Sequence, residues 1–214
     1  MKAQERLEAV RQFAQEHLQA VGQRREIPAD EQDYRWRHTL RVCHYGRQLA
    51  EAEGANVELT VAACLLHDVA VFDEGEWEDH GRLGARLSRA FLYTLYTPDE
   101  AENICYSVAL HADDRADFDH PPTVESKIVT DADNVDRFDA YRLLKFCQPD
   151  IDDFGRLVAN ARERKRKLED YRERQVMATR AGHELFNRQL DFQIDFFARL
   201  ILQSELEAIP VLRD

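Results

Sequence analysis

The sequence predicts an all-α protein, a helical bundle with almost no sheet. Two observations predict it. Apolar residues in the long segments recur every three and four positions, the helical rather than the strand period. Glycine (8) and proline (6) are sparse among the 214 residues and cluster between those segments. A chain of this length suits one domain, or one domain with a helical extension, and buries roughly 70% of its unfolded surface.

Taken in order, a first helix is expected over about residues 2–21, with Leu7, Val10, Phe13, Ala14, Leu18 and Val21 as its apolar stripe, until GQRREIPAD breaks it. A second, about 31–53, carries Trp36, Leu40, Cys43, Tyr45 and Leu49 and stops at Gly54. Asn56 is positioned to cap a third, which runs to about Val69 and is apolar on nearly every side, as a helix surrounded by others should be. After the acidic loop FDEGEWED comes a helix over about 80–96; Thr97-Pro98 ends it and starts the next, which reaches His111. DDRADFDHPP reads as a turn region, and Thr123 as the cap of a helix over about 124–146. Two further helices are expected over about 151–176 and 181–206. The last bears Leu185, Phe186, Leu190, Phe192, Phe196, Phe197, Leu200 and Ile201, more apolar surface than a free tail leaves exposed, so it packs on the domain or on a second copy in a homodimer. The expected organisation is an N-terminal helix (1–29) packing on a core (30–146), with a C-terminal helical extension (147–214) packed on the same domain.

Composition excludes several function classes. Twenty-nine basic against 41 acidic residues give a net charge of -12, which disfavours a protein whose main partner is a nucleic-acid duplex but leaves room for a local basic pocket. The tract RERKRK at 162–167 reads as a solvated helix face. Cys43, Cys64, Cys105 and Cys147 are scattered singly among apolar residues and read as reduced core thiols, pointing to the cytoplasm. The N-terminus lacks both the apolar region of a signal peptide and the acid-poor bias of a transit peptide. The richest apolar run, LTVAACLLHDVAVF, is too short to cross a bilayer and is interrupted by His-Asp.

That interruption is where chemistry enters. His67 and Asp68 end a core helix, where two polar groups need partners and a metal would satisfy an imidazole and a carboxylate together. The ordinary reading is a helix-terminal aspartate beside a capping histidine. His38 precedes the pair by 29 residues and Asp133 follows within TDADNVDRFDAY, each on a separate predicted helix. Asp131 and Asp136 compete with Asp133: Asp136 lies one turn on and shares its face, whereas Asp131 should point elsewhere. His17 and His183 read as surface or satisfied core residues, and His120, beside Pro121-Pro122, as an ordinary loop residue.

The blocks HTLRVCHYGRQLAEAEG, VAACLLHDV and ESKIVTDADNVDRFDA, in that order, resemble the first-histidine, HD and final-aspartate helices of the HD-domain superfamily of metal-dependent phosphohydrolases. The resemblance covers about residues 30–145 and implies an HD-domain bundle with a metal site between helices, bound by His38, His67, Asp68 and Asp133. His80 and His111 fall where subfamilies with two metals supply extra histidines, so each is a candidate for a second metal or for substrate contact. Asp68 would then bridge two ions about 3.5–4 Å apart. Arg41, one turn after His38, and Lys127 are candidates for phosphate binding, with a surface ion pair the plainer role for each; Arg37 and Arg115 are weaker ones.

The function implied is hydrolysis of a nucleotide or other small phosphate ester through a metal-activated water, with Asp68 and His67 as the catalytic pair. Mn2+ is the expected ion, and Mg2+, Fe2+, Co2+ or Zn2+ suit the same donors. Two alternatives are carried forward: an HD-fold diiron oxygenase, which the order His, His-Asp, His, His, Asp also resembles, and a non-catalytic nucleotide-binding module.

Overall fold

A computed structural model describes residues 1–75 and 77–206. Glu76, within the predicted acidic loop, and residues 207–214 of the predicted C-terminal extension lie outside the described residues. Among those described there are nine α-helices, two short 3-10 turns and no strand. No described helix is long and apolar enough to cross a membrane.

The first helices are α1 (Ala3–Arg24), α2 (Ala29–Glu53) and α3 (Val57–Leu66). On α1 the predicted stripe is buried at Val10, Ala14, Leu18 and Val21. Helix α2 ends where expected, with Gly54 in the left-handed region at φ 69° and its N–H bonded to the Ala50 carbonyl. The Asn56 side chain caps α3 by accepting from the N–H groups of Glu58 and Leu59 at 3.0 and 3.2 Å. Helix α3 is the centre of this packing, touching α1, α2 and the following α4 (His80–Leu92) and α5 (Pro98–Leu110). Close approach of α2 to α3 depends on Gly46, because a Cβ there would lie 2.5 Å from Cys64 Sγ. At the start of α5, Thr97 and Glu100 form a reciprocal capping box behind Pro98.

Two differences from the periodic reading matter. Helix α3 stops at Leu66, so His67 and Asp68 belong to the tight turns that follow rather than to the helix. The helix expected over about 124–146 is two helices, α6 (Val124–Arg137) and α7 (Ala140–Cys147). Asp139 takes an extended backbone (φ -86°, ψ 175°) and its carboxylate caps the Ala140 N–H at 2.6 Å. Apolar spacing continues through the break, so the capping aspartate was the signal to weigh there. Helices α8 (Phe154–Arg174) and α9 (Arg180–Glu205) complete the order.

The chain divides into two compact units, one of Met1–Asp136 with Ala178–Gly182, the other of Arg137–Met177 with the described chain from His183. In the first unit Asp131 holds the returning strap: its carboxylate accepts from Ala178 N (2.9 Å), Thr179 N (2.8 Å) and Thr179 Oγ1 (2.6 Å). Burial raises the Asp131 pKa in spite of those hydrogen bonds. Asp131→Ala would strand three donors and is expected to cost on the order of 2–4 kcal/mol, read as a lower urea midpoint, without weakening metal binding. In the second unit Leu185, Phe186, Leu190 and Phe197 are buried, whereas Phe192, part of the predicted apolar face, is exposed.

The four cysteines are free. Burial pushes the thiols of Cys43 and Cys105 up to about 12 and about 11.

Candidate metal centre

Six of the predicted site residues come together inside the first unit. His38 lies on α2, His67 and Asp68 follow α3, His80 opens α4, His111 ends α5 and Asp133 lies on α6, and all six are buried. His38 Nε2 is 3.1 Å from Asp133 Oδ1 and 3.3 Å from His67 Nε2. Asp68 stands between two lobes. Its Oδ2 faces His67 Nε2 (3.3 Å) and His38 Nε2 (3.5 Å), and its Oδ1 faces His80 Nε2 (3.2 Å) and His111 Nε2 (3.8 Å). Gly81 lets the second lobe close, since a Cβ there would meet the carbonyls of Val108 and Ala109 at 2.9 Å, at the end of α5 just before His111.

The outward nitrogens decide what the inward ones present. His67 Nδ1 donates to the Cys64 carbonyl (2.8 Å), His111 Nδ1 to the Val108 carbonyl (2.7 Å) and His80 Nδ1 to the Trp77 carbonyl. A carbonyl only accepts, so each of these rings carries its proton on Nδ1 and turns the Nε2 lone pair inward. His38 Nδ1 points at Asp136 Oδ2 at 2.7 Å, the carboxylate–histidine arrangement that orients metal ligands. The centre is therefore a convergence of acceptors: in their neutral forms four imidazole lone pairs face two carboxylates. His80 Nε2 and His111 Nε2, 2.9 Å apart, repel unless a cation or a shared proton lies between them. Two groups, His38/His67/Asp133 and His67/Asp68/His111, each bring ligand atoms within 4.8 Å of one another. The mixed nitrogen and oxygen donor set fits a divalent metal.

The electrostatics agree. Burial works against the ionised form of Asp68, yet the neighbouring His67, the Arg35 guanidinium and His111 hold its carboxyl well below the usual range. Asp133 is lowered in the same way, chiefly by His38, and Asp136 by His38 and Arg41. Burial disfavours the His38 imidazolium, but hydrogen bonds to Asp133 and Asp136 outweigh it and raise its pKa to about 9.

The remaining candidates fall outside the convergence. Arg41 donates to Asp136 (Nε to Oδ1, 2.5 Å), bracing the carboxylate that holds His38. Lys127 is exposed, about 120° around α6 from Asp133 by helical geometry. Arg37 pairs with Asp33 on the surface, and His120 stacks on Tyr106. Sequence reasoning missed Arg35. Its Nη1 donates to Asp68 Oδ2 at 2.5 Å, its guanidinium lies 5.6 Å from the Trp77 ring centroid, and its Nε is buried without a partner. The available signal was its place three residues before His38, on the same helix face. Asp136, weighed as a rival to Asp133, is instead the partner of His38 Nδ1. Asp136→Asn is expected to weaken metal affinity about 10–100-fold, measured by calorimetric titration of metal-stripped protein.

The HD domain family model matches residues 35–137, a span that contains all six residues and Asp136. No curated protein matches the chain. Among solved structures, a predicted HD superfamily hydrolase from an uncultured Thermotogales bacterium aligns at 18% identity and a TM-score of 0.65, covering 95% of this chain and 99% of its own. Bacillus subtilis YpgQ in complex with ADP aligns at 18% identity and a TM-score of 0.65, covering 98% and 99%. An HD-superfamily hydrolase from Bacillus thuringiensis aligns at 19% identity and a TM-score of 0.64, covering 97% and 100%. At these identities the three structures show a shared fold over nearly the whole of each chain. Three helix blocks in order, their histidines and aspartates converging and the family model spanning them make residues 35–137 of this chain a match to the HD domain.

Proposed function

We propose that the protein is a metal-dependent phosphohydrolase acting on a nucleotide or another small phosphate ester. The observation that carries this reading is the buried convergence of Nε2 lone pairs and carboxylates, with every opposite Nδ1 engaged by an acceptor. Such a centre needs positive charge, and HD-superfamily hydrolases share the fold. The ADP bound to YpgQ supports a nucleotide-type ligand.

In this reading His38, His67, Asp68 and Asp133 hold one ion, for which Mn2+ is the first choice. His80 and His111, with Asp68 as the shared carboxylate, hold a second or contact substrate. A bound divalent ion supplies Lewis acidity toward a phosphoryl oxygen and lowers the pKa of adjacent water from about 15.7 towards 7–9. Asp68 stays ionised and positions the attacking water. Asp136 holds the His38 ring in its ligand tautomer, and Arg35 fixes the Asp68 carboxylate. A cysteine nucleophile is disfavoured, because burial raises the Cys64 thiol well above its ordinary pKa.

The test is to strip the purified protein with a chelator, reload it with Mn2+, Mg2+, Co2+ or Fe2+, and screen nucleotides and simple phosphate esters for phosphate or pyrophosphate release. Release in the loaded protein alone is expected; binding without turnover across the panel would leave the non-catalytic module. The two-lobed donor set bridged by Asp68 also fits the diiron oxygenase alternative, which iron content with oxygen consumption on a polyol or phosphonate would favour.

A further inference from the structure

The second compact unit carries a concentration of positive charge unlike the rest of this acidic chain. A pocket of about 420 Å³ is lined by Arg137, Arg142, Lys145, Arg164 and three aromatic rings, with no carboxylate among its lining residues. Arg142 and Lys145 lie three residues apart on one face of α7, Arg137 ends α6 and Arg164 comes from α8. The volume is that of a small-molecule site.

Arg164 gives the pocket its meaning. Its guanidinium lies 5.2 Å from the Phe138 ring centroid and 5.8 Å from that of Phe146, and its Nε is buried with no hydrogen-bond partner. The two rings attract the cation but offer its N–H groups no conventional acceptor. Burial and the neighbouring Arg142 charge lower its pKa, against the opposing effect of Tyr171. A guanidinium held this way is costly unless an anion compensates it. Clustered cations and planar N–H forks match the oxygens of a phosphate group. The net charge of -12 disfavours a nucleic-acid backbone as the occupant.

We propose that this pocket is an anion site that binds a small molecule bearing one or more phosphate groups, with Arg164 as its central donor and Lys145 at its exposed edge. The site is independent of the reading given to the metal centre, because none of its lining residues belongs to that cluster. It is tested on the full chain with metal removed by chelator, so that turnover plays no part. Inorganic pyrophosphate is titrated calorimetrically into the wild type, Arg164→Met and Lys145→Gln. Saturable binding with a Kd below about 1 mM is expected for the wild type, and each variant should bind about tenfold more weakly or worse. Arg164→Met keeps the apolar stem while removing an uncompensated charge, so its Tm without pyrophosphate should be no lower than that of the wild type. Absence of saturable binding to the wild type, or equal affinity in both variants, overturns the proposal. Should Arg164→Met fail to fold, the exposed Lys145→Gln decides alone, unchanged affinity counting against the site.

Discussion

Asp68→Asn is expected to lower metal-dependent turnover by about 10³-fold or more, the largest effect of any single exchange in this protein. Asp68 is the carboxylate that all four histidines of the cluster face, with Oδ1 turned to one lobe and Oδ2 to the other. An amide keeps the shape but removes the charge that would offset a divalent ion. The fold should survive at reduced stability. Arg35 loses its counter-ion, and because the Arg35 side chain remains 17% exposed the loss should fall below the 3–5 kcal/mol typical of a fully buried pair, at about 2 kcal/mol. The double variant Asp68→Asn/Arg35→Met should therefore regain stability in urea while remaining inactive. Turnover near the wild-type rate in Asp68→Asn would sink the mechanism, and an unfolded double variant would show that Asp68 is chiefly structural.

Metal removal should produce the second large effect, in stability and in protons. An ion present at 100 times its Kd stabilises by about 2.7 kcal/mol, which for a chain of this size corresponds to roughly 5–10 °C in Tm. In the metal-free protein His38 binds a proton with a pKa raised from 6.5 to about 9. Because the folded value is the higher one, its contribution to stability is complete below pH 6.5 and is lost as pH rises through about 9. Metal at His38 Nε2 must displace that proton, so loading near pH 7.5 should release close to one proton from this ring. The stabilisation by metal should widen between pH 6.5 and about 9, as the metal-free form weakens and the loaded form does not. Thermal melts of both forms across this range, with calorimetry in two buffers of different ionisation enthalpy, measure the two quantities together. A constant gap and no proton release would exclude His38 as a ligand.

The all-α class was legible because helical periodicity and capping residues are local signals. Gly54, Asn56 and Thr97-Pro98 mark helix ends through hydrogen bonds made within a few residues, and each lies at the end it predicts. The break between α6 and α7 was harder to read, since the apolar period runs through Phe138 and Asp139 and a capping aspartate competes with continuation by only about 1 kcal/mol. The six candidate donors were also legible, as residue types within or at the ends of successive predicted helices. Their neighbours were not: Lys127 and Arg35 are both cations on helices that carry a cluster residue, yet one faces solvent and the other faces Asp68.

Sequence by itself determined which imidazoles and carboxylates this chain possesses and that helices would carry or flank them. Tertiary structure decided their roles. Asp131 ties down residues 178–179, and Asp136 orients His38 from 98 positions away. The tautomers of His67, His80 and His111 follow from carbonyls freed at the ends of helical turns. The physical reason is the same in each case. A donor type is a local property of the chain, whereas the direction of a lone pair depends on the partner that tertiary packing places at the other side of the ring.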